Sequence, residues 1–194
     1  MHRAGRPGVG GGRGPDRRGG RDRRTLGKAL GGYGAYVCGS RLLADFLVNS
    51  ARPFIFSTAP PPPVVAAAHA ALGLLMEQPT RVERLRSNAG ALRAGVRAEG
   101  LEPIGSETQI IPVVIGAAET TMALTERLLE RGLFAQGIRP PTVALGTCRL
   151  RLATMATHRA DDLRRAAAQI GRAARELRIG AAASAGEDDL RRAA

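Results

Sequence analysis

Lys28 is the only lysine in a chain of 194 residues whose remaining positive charge rests on 28 arginines. A guanidinium stays protonated and makes planar, forked contacts, whereas an ε-amine can shed its proton, attack a carbonyl and form a Schiff base. A single Lys in so arginine-rich a sequence therefore points to covalent chemistry. It sits in Thr25-Leu26-Gly27-Lys28-Ala29-Leu30-Gly31-Gly32, with Gly34 close behind. Glycines here let the backbone pass near a bulky planar ligand and take dihedrals that a side chain forbids. Spacing alone leaves an alternative open, a surface lysine in a glycine-rich turn.

The chain must supply a scaffold for this lysine. Its length suits one ordinary domain, or a small domain plus part of another, and its 44% apolar content supports a globular core. Aromatic residues make up 3% and Trp is absent, so that core must be aliphatic and alanine-rich. No apolar run approaches a membrane span, and the start is charged and glycine-rich instead of carrying a signal peptide's apolar block; a cytoplasmic protein is expected. Cys38 and Cys148 lie in apolar strand-like contexts without metal-ligand spacing, and both are expected to be buried free thiols. The net charge of +12 would ordinarily suggest nucleic acid, but residues 1–24 alone hold eight Arg against Asp16 and Asp22, half of the total. Those residues also contain eight Gly and almost nothing that could be buried, so they are expected to be a disordered leader.

Beyond the lysine stretch, Gly34-Ala35-Tyr36-Val37-Cys38-Gly39-Ser40 is short, apolar and bounded by glycines, as a buried strand is. Ser40 can cap a helix through Val48, on which Leu43, Phe46 and Leu47 share a face. The prolines Pro60 to Pro63 precede a helix expected over 64–77, in which His69 is a packed or exposed helix residue. Thr80 and Glu83 form a capping box for a helix running to Gly100. The β-branched run 109–116 predicts a strand, with Pro112 arguing for an edge or a bulge. A helix from about Glu119 stops at Gly132, and two further strands are expected over 133–138 and 147–153. In the last of these Cys148, Leu150 and Leu152 alternate with Arg149 and Arg151, so the arginines share a face. His158 falls in the cap region of a final helix whose first turn holds Asp161 and Asp162 and whose stripe is Leu163, Ala167, Ile170, Ala174 and Leu177.

Two stretches in the right order carry a family likeness. The lysine stretch resembles the cofactor-lysine motif of the α-oxoamine synthases, pyridoxal-phosphate enzymes of the aspartate-aminotransferase fold. Ile138-Arg139-Pro140-Pro141-Thr142-Val143-Ala144-Leu145-Gly146-Thr147-Cys148-Arg149-Leu150-Arg151 resembles the family's C-terminal signature in the form its biotin-pathway members carry. The resemblance runs from about residue 25 to about 177 and implies an α/β fold, PLP-dependent transferase fold type I. Its parts would be a remnant of the PLP-binding large domain over 25–60, connector helices over 61–100 and a small α/β domain over 101–180. Residues 181–194 would be a disordered tail.

The resemblance also implies roles. Lys28 would hold pyridoxal phosphate and then remove the α-proton of an amino acid, with the cofactor as electron sink. Thr25 would bind the cofactor phosphate, and Ser57 and Thr58 would reach the neighbouring subunit's cofactor across a homodimer. Arg151 would hold the substrate carboxylate, a task suited to a forked guanidinium, and Thr142 would touch substrate. Arg149 reads better as a solvated strand arginine. The biotin-pathway reaction joins L-alanine to a pimeloyl thioester, borne by acyl carrier protein or coenzyme A, with loss of carbon dioxide. Ala144 departs from the family's usual proline. An acidic partner for the pyridine nitrogen and a stacking His have no counterpart, so this chain alone is expected to bind the cofactor weakly and to have impaired activity. Residues 1–24 are expected to be an out-of-frame read, which large-domain sequence in another frame of the upstream DNA would bear out.

Three alternatives remain. Glycine C-acetyltransferase and 5-aminolevulinate synthase share the chemistry and differ in substrate. A noncatalytic partner subunit would lend Ser57 and Thr58 to another copy. A basic nucleic-acid-binding protein would explain the charge, but it leaves Lys28 unexplained and has no aromatics beside its basic residues on which bases could stack.

Overall fold

The computed structural model describes residues 22–105 and 107–179. The leader over 1–21, Ser106 and the tail from 180 lie outside the described residues. The chain divides between Pro79 and Thr80 into two compact units, so the two helices expected as one connector fall on either side of the division.

In the first unit, β1 (Asp22–Thr25) pairs antiparallel with β2 (Ala35–Cys38), Thr25 opposite Ala35 and Arg24 opposite Tyr36. Strand β1 thus begins before the leader's expected end at residue 24, because a strand needs only a backbone partner and β2 supplies one. Helix α1 (Arg41–Ser50) follows Ser40, whose Oγ accepts from the Leu43 N–H at 3.2 Å, as the capping pattern predicts. A short α2 (Arg52–Ile55) and a longer α3 (Pro62–Glu77) complete the unit, α3 starting within the proline run because Pro is tolerated in a helix's first turn. The expectation that residues 34–40 are buried is corrected: every residue of β2 is exposed, and so is the Cys38 thiol. Among the described residues β2 belongs to a two-stranded ribbon, and a ribbon of that size buries little by itself.

The second unit holds a three-stranded antiparallel sheet in the order β3-β5-β4, formed by β3 (Ile110–Gly116), β4 (Gln136–Ile138) and β5 (Cys148–Ala153). Helices α4 (Thr80–Ala98), α5 (Ala118–Glu130) and α6 (Ala160–Glu176) complete the unit. Ile111 and Val113 from β3, Leu150 from β5, Leu124 and Leu128 from α5 and Ile170 from α6 form the buried centre of its core. Pro112 is accommodated because β3 lies at the sheet's edge. Its carbonyl accepts the Ile104 N–H at 2.9 Å from the outer side, so its missing N–H also faces outward, away from β5.

Strand β4 is half the length that the sequence suggests. The reason is the end of α5: Gly132 takes φ +74° and the Leu133 N–H donates to the Leu128 carbonyl at 2.9 Å, so residues 131–133 close the helix instead of extending the strand. Glu176 at the end of α6 accepts from Arg127 of α5 and from Arg131, the residue just past that helix, and the Arg131 guanidinium holds its carboxyl below the usual range. Cys148 is buried, as expected.

The α4 and α6 backbones approach closely at Gly95, where an added Cβ would stand 2.8 Å from the Ala167 Cβ, whereas Gly90 of the same helix faces open space. Opposite signs are expected. Gly90→Ala should stabilise by about 0.5–1 kcal/mol, and Gly95→Ala should destabilise by about 1 kcal/mol or more once overpacking outweighs the helix gain. Urea unfolding of the two variants beside the wild type measures both.

Candidate functional site

The turn joining β1 to β2 presents the lysine. Leu26 N–H donates to the Gly34 carbonyl at 2.9 Å, Gly32 N–H to the Leu26 carbonyl at 2.9 Å and Gly31 N–H to the Lys28 carbonyl at 3.0 Å. These bonds need left-handed backbone at Gly31 (φ +61°) and Gly34 (φ +94°), which glycine adopts without a steric penalty. Thr25 and Lys28 fall on one side of this turn: the ammonium Nζ donates to Thr25 Oγ1 at 2.9 Å, and both residues are exposed. An amine and a hydroxyl in contact on an open, glycine-lined surface suit a group that offers an aldehyde to the first and an anion to the second.

Ser57 and Thr58 follow α2 and are exposed. Ser57 Oγ donates to the Phe54 carbonyl at 3.5 Å, and among the described residues no hydrogen bond joins either hydroxyl to Lys28 or Thr25.

In the second unit the sheet gathers the other residues. Arg151 lies on the central strand, opposite Pro112 on one side and Gln136 on the other. The chain leaves β4 at Ile138 and reverses through Pro140 and Pro141, closed by the Thr142 N–H donating to the Arg139 carbonyl at 3.1 Å. Residues 136–142 and Arg151 thereby line one open recess of about 510 Å³, which brings Thr142 and Arg151 together. Neither Arg139 nor Arg151 has a side-chain hydrogen bond or ion pair among the described residues. Arg149, expected to be a solvated arginine, is half-buried and donates through Nε to the Thr147 carbonyl at 3.0 Å. The C-terminal motif contains Arg139 without giving it a role, and Gln136 lies outside that motif. Arg139's place in the Pro-Pro turn, three residues before Thr142, was the available signal.

The end of β5 is held from α4. The buried Asn88 amide donates to the Met155 and His158 carbonyls, each at 2.9 Å, and the Met155 N–H donates to His158 Nδ1 at 3.3 Å. His158 thus anchors the approach to α6. Among the described residues no cluster of His, Cys, Asp and Glu could hold a metal, and no helix is long and apolar enough to cross a membrane.

The profile of the family described as aminotransferase class I and II matches residues 23–170, and the chain belongs to that family. It is similar to the 8-amino-7-oxononanoate synthase of Geobacter sulfurreducens, with 52% identity over 157 residues, covering 80% of this chain and 40% of that protein.

Two solved structures share the fold type. One is a variant of the serine palmitoyltransferase of S. paucimobilis with a bound PLP–myriocin aldimine, matching with a TM-score of 0.76 and 28% identity over 81% of this chain and 40% of that one. The other is the 8-amino-7-oxononanoate synthase of Francisella tularensis, with a TM-score of 0.70 and 27% identity over 81% of this chain and 46% of that one. The α/β architecture is thus that of PLP-dependent fold type I enzymes. The chain spans about 40% of the length of the curated relative it matches.

Proposed function

We propose that this chain carries the cofactor-lysine and substrate-carboxylate parts of an 8-amino-7-oxononanoate synthase, a PLP-dependent acyltransferase that condenses L-alanine with a pimeloyl thioester in biotin biosynthesis. The observation that carries the reading is the Lys28 Nζ to Thr25 Oγ1 contact of 2.9 Å on a glycine-lined turn, in a chain 52% identical to a protein of that name. When bound, pyridoxal phosphate supplies the electron sink that labilises bonds at the amino acid's α-carbon.

The chain's own residues do the rest. Lys28 anchors the cofactor and serves as the base for the α-proton, and the Thr25 hydroxyl donates to the phosphate. Arg151 takes the amino-acid carboxylate in a forked contact until it leaves as carbon dioxide. Thr142, on the same recess, orients the substrate. Ser57 and Thr58 belong to the same proposal as phosphate ligands offered to a second copy, which their exposure in this chain supports. A homodimer, a cytoplasmic location and delivery of the acyl group by carrier protein or coenzyme A complete it.

The exposed side chains of Leu42, Phe46, Phe54, Phe56 and Met76 in the first unit support an assembly that covers them.

Two results are expected. In an assay pairing L-alanine or glycine with pimeloyl, acetyl or succinyl thioesters, PLP-dependent carbon dioxide release should require L-alanine with the pimeloyl thioester and disappear in Lys28→Arg. Release from glycine with an acetyl or succinyl thioester would instead assign one of the sister activities. Thr25→Val should weaken PLP binding about tenfold, the loss expected for one hydrogen bond to a charged group, as read by fluorescence titration.

A further inference from the structure

The recess on β4 and β5 is larger and more strongly charged than an amino-acid carboxylate requires. Its volume of about 510 Å³ falls in the range of sites that hold whole small molecules. Arg139 and Arg151 both line it, and neither has an ion pair or hydrogen bond among the described residues.

Arg84, Arg86, Arg159, Arg172 and Arg178 also have no side-chain hydrogen bond or ion pair among the described residues, but none of them lines the recess, and other arginines of the unit are paired. Arg127 and Arg131 share Glu176, Arg175 holds Glu99, Arg97 holds Glu102, and Arg164 and Arg165 pair within α6. Two guanidiniums left without partners on one open recess make it attractive to anions. The Thr142 residue between them in sequence adds a hydroxyl to the same lining.

The two arginines come from separate stretches that the sheet joins. Arg151 is fixed by ladders on both sides, with Gln136 of β4 directly opposite. Arg139 begins the turn that follows β4, and its carbonyl accepts the Thr142 N–H. A ligand reaching from one to the other therefore spans from the central strand to the sheet's outer corner.

We infer that the recess is a two-anion site, in which Arg151 takes one carboxylate and Arg139 takes a second anionic group carried by the acyl donor. The inference rests on the proposed function for the identity of the first carboxylate and goes beyond it by making Arg139 a specificity-determining residue. An acyl chain ending in a methyl group would leave Arg139 without a partner, whereas one ending in an anion would satisfy it. That anion can be the far carboxylate of the acyl chain or a phosphate of the carrier.

The test is binding to the full chain by isothermal titration, with heptanedioate, heptanoate and coenzyme A as separate probes and amide NMR spectra to verify folding. Heptanedioate is expected to bind about tenfold more tightly than heptanoate, and Arg139→Gln to remove that preference while Arg139→Lys retains part of it. This result assigns the second anion to the acyl chain. A tenfold loss of coenzyme A affinity in Arg139→Gln, without any dicarboxylate preference in the wild type, upholds the two-anion site and assigns its second anion to the carrier phosphates.

Unchanged affinity for all three probes in Arg139→Gln overturns the inference. The outcome is separable from the proposed function, because borohydride trapping of PLP on the wild-type chain reads Lys28 and is independent of the recess.

Discussion

Everything proposed for the chemistry depends on one tight turn that must reverse the chain and set an amine beside a hydroxyl. Three backbone hydrogen bonds close it, and two of its glycines sit at positive φ, so the path from Thr25 to Ala35 is fixed by geometry few other residues could adopt. The ladder between β1 and β2 holds the two ends in register. Thr25 is the last residue of β1, and three residues later Lys28 comes back over it, so the 2.9 Å contact is a consequence of the turn and not of burial. An exposed amine held this way keeps its freedom to meet a ligand and loses much of the conformational entropy that it would otherwise give up on binding.

The second unit solves a different problem with ordinary sheet physics. Period-two alternation buries Cys148, Leu150 and Leu152 of β5 and turns Arg149 and Arg151 to the other face. Because β5 is the middle strand, Arg151 is positioned by partners on both sides, and a one-residue slip would bury its charge. The Asn88 amide anchors the stretch that follows by donating to the Met155 and His158 carbonyls, the first of which also accepts the His158 N–H. The charged residue is thereby held on a rigid element while its head group remains in the open recess.

Much of this was legible in the sequence because it is local or periodic. Ser40 as a cap, the stripe on α6, the stop at Gly132 and the alternation in β5 each follow from side-chain chemistry within a few residues. Non-local facts were not legible. The apolar run of β2 reads as a buried strand, yet burial depends on what covers it, and among the described residues its ribbon pairs it with β1 alone. Leu133 reads as strand, but its N–H is taken by the end of α5. Arg139 gains meaning only when the pairing of β4 with β5 brings the Pro-Pro turn beside Arg151, a register no spacing reveals. The charge of Lys28 was visible at once, because a single lysine among arginines is a matter of composition.

The account stands or falls on Lys28 as the cofactor lysine. The direct measurement is to incubate the purified chain with pyridoxal phosphate, reduce with borohydride and map the modified residue by peptide mass analysis. A pyridoxyl adduct on Lys28, lost when excess L-alanine is added before reduction, is the predicted result. A folded sample that gives no adduct, or one confined to the N-terminal amine, would contradict it.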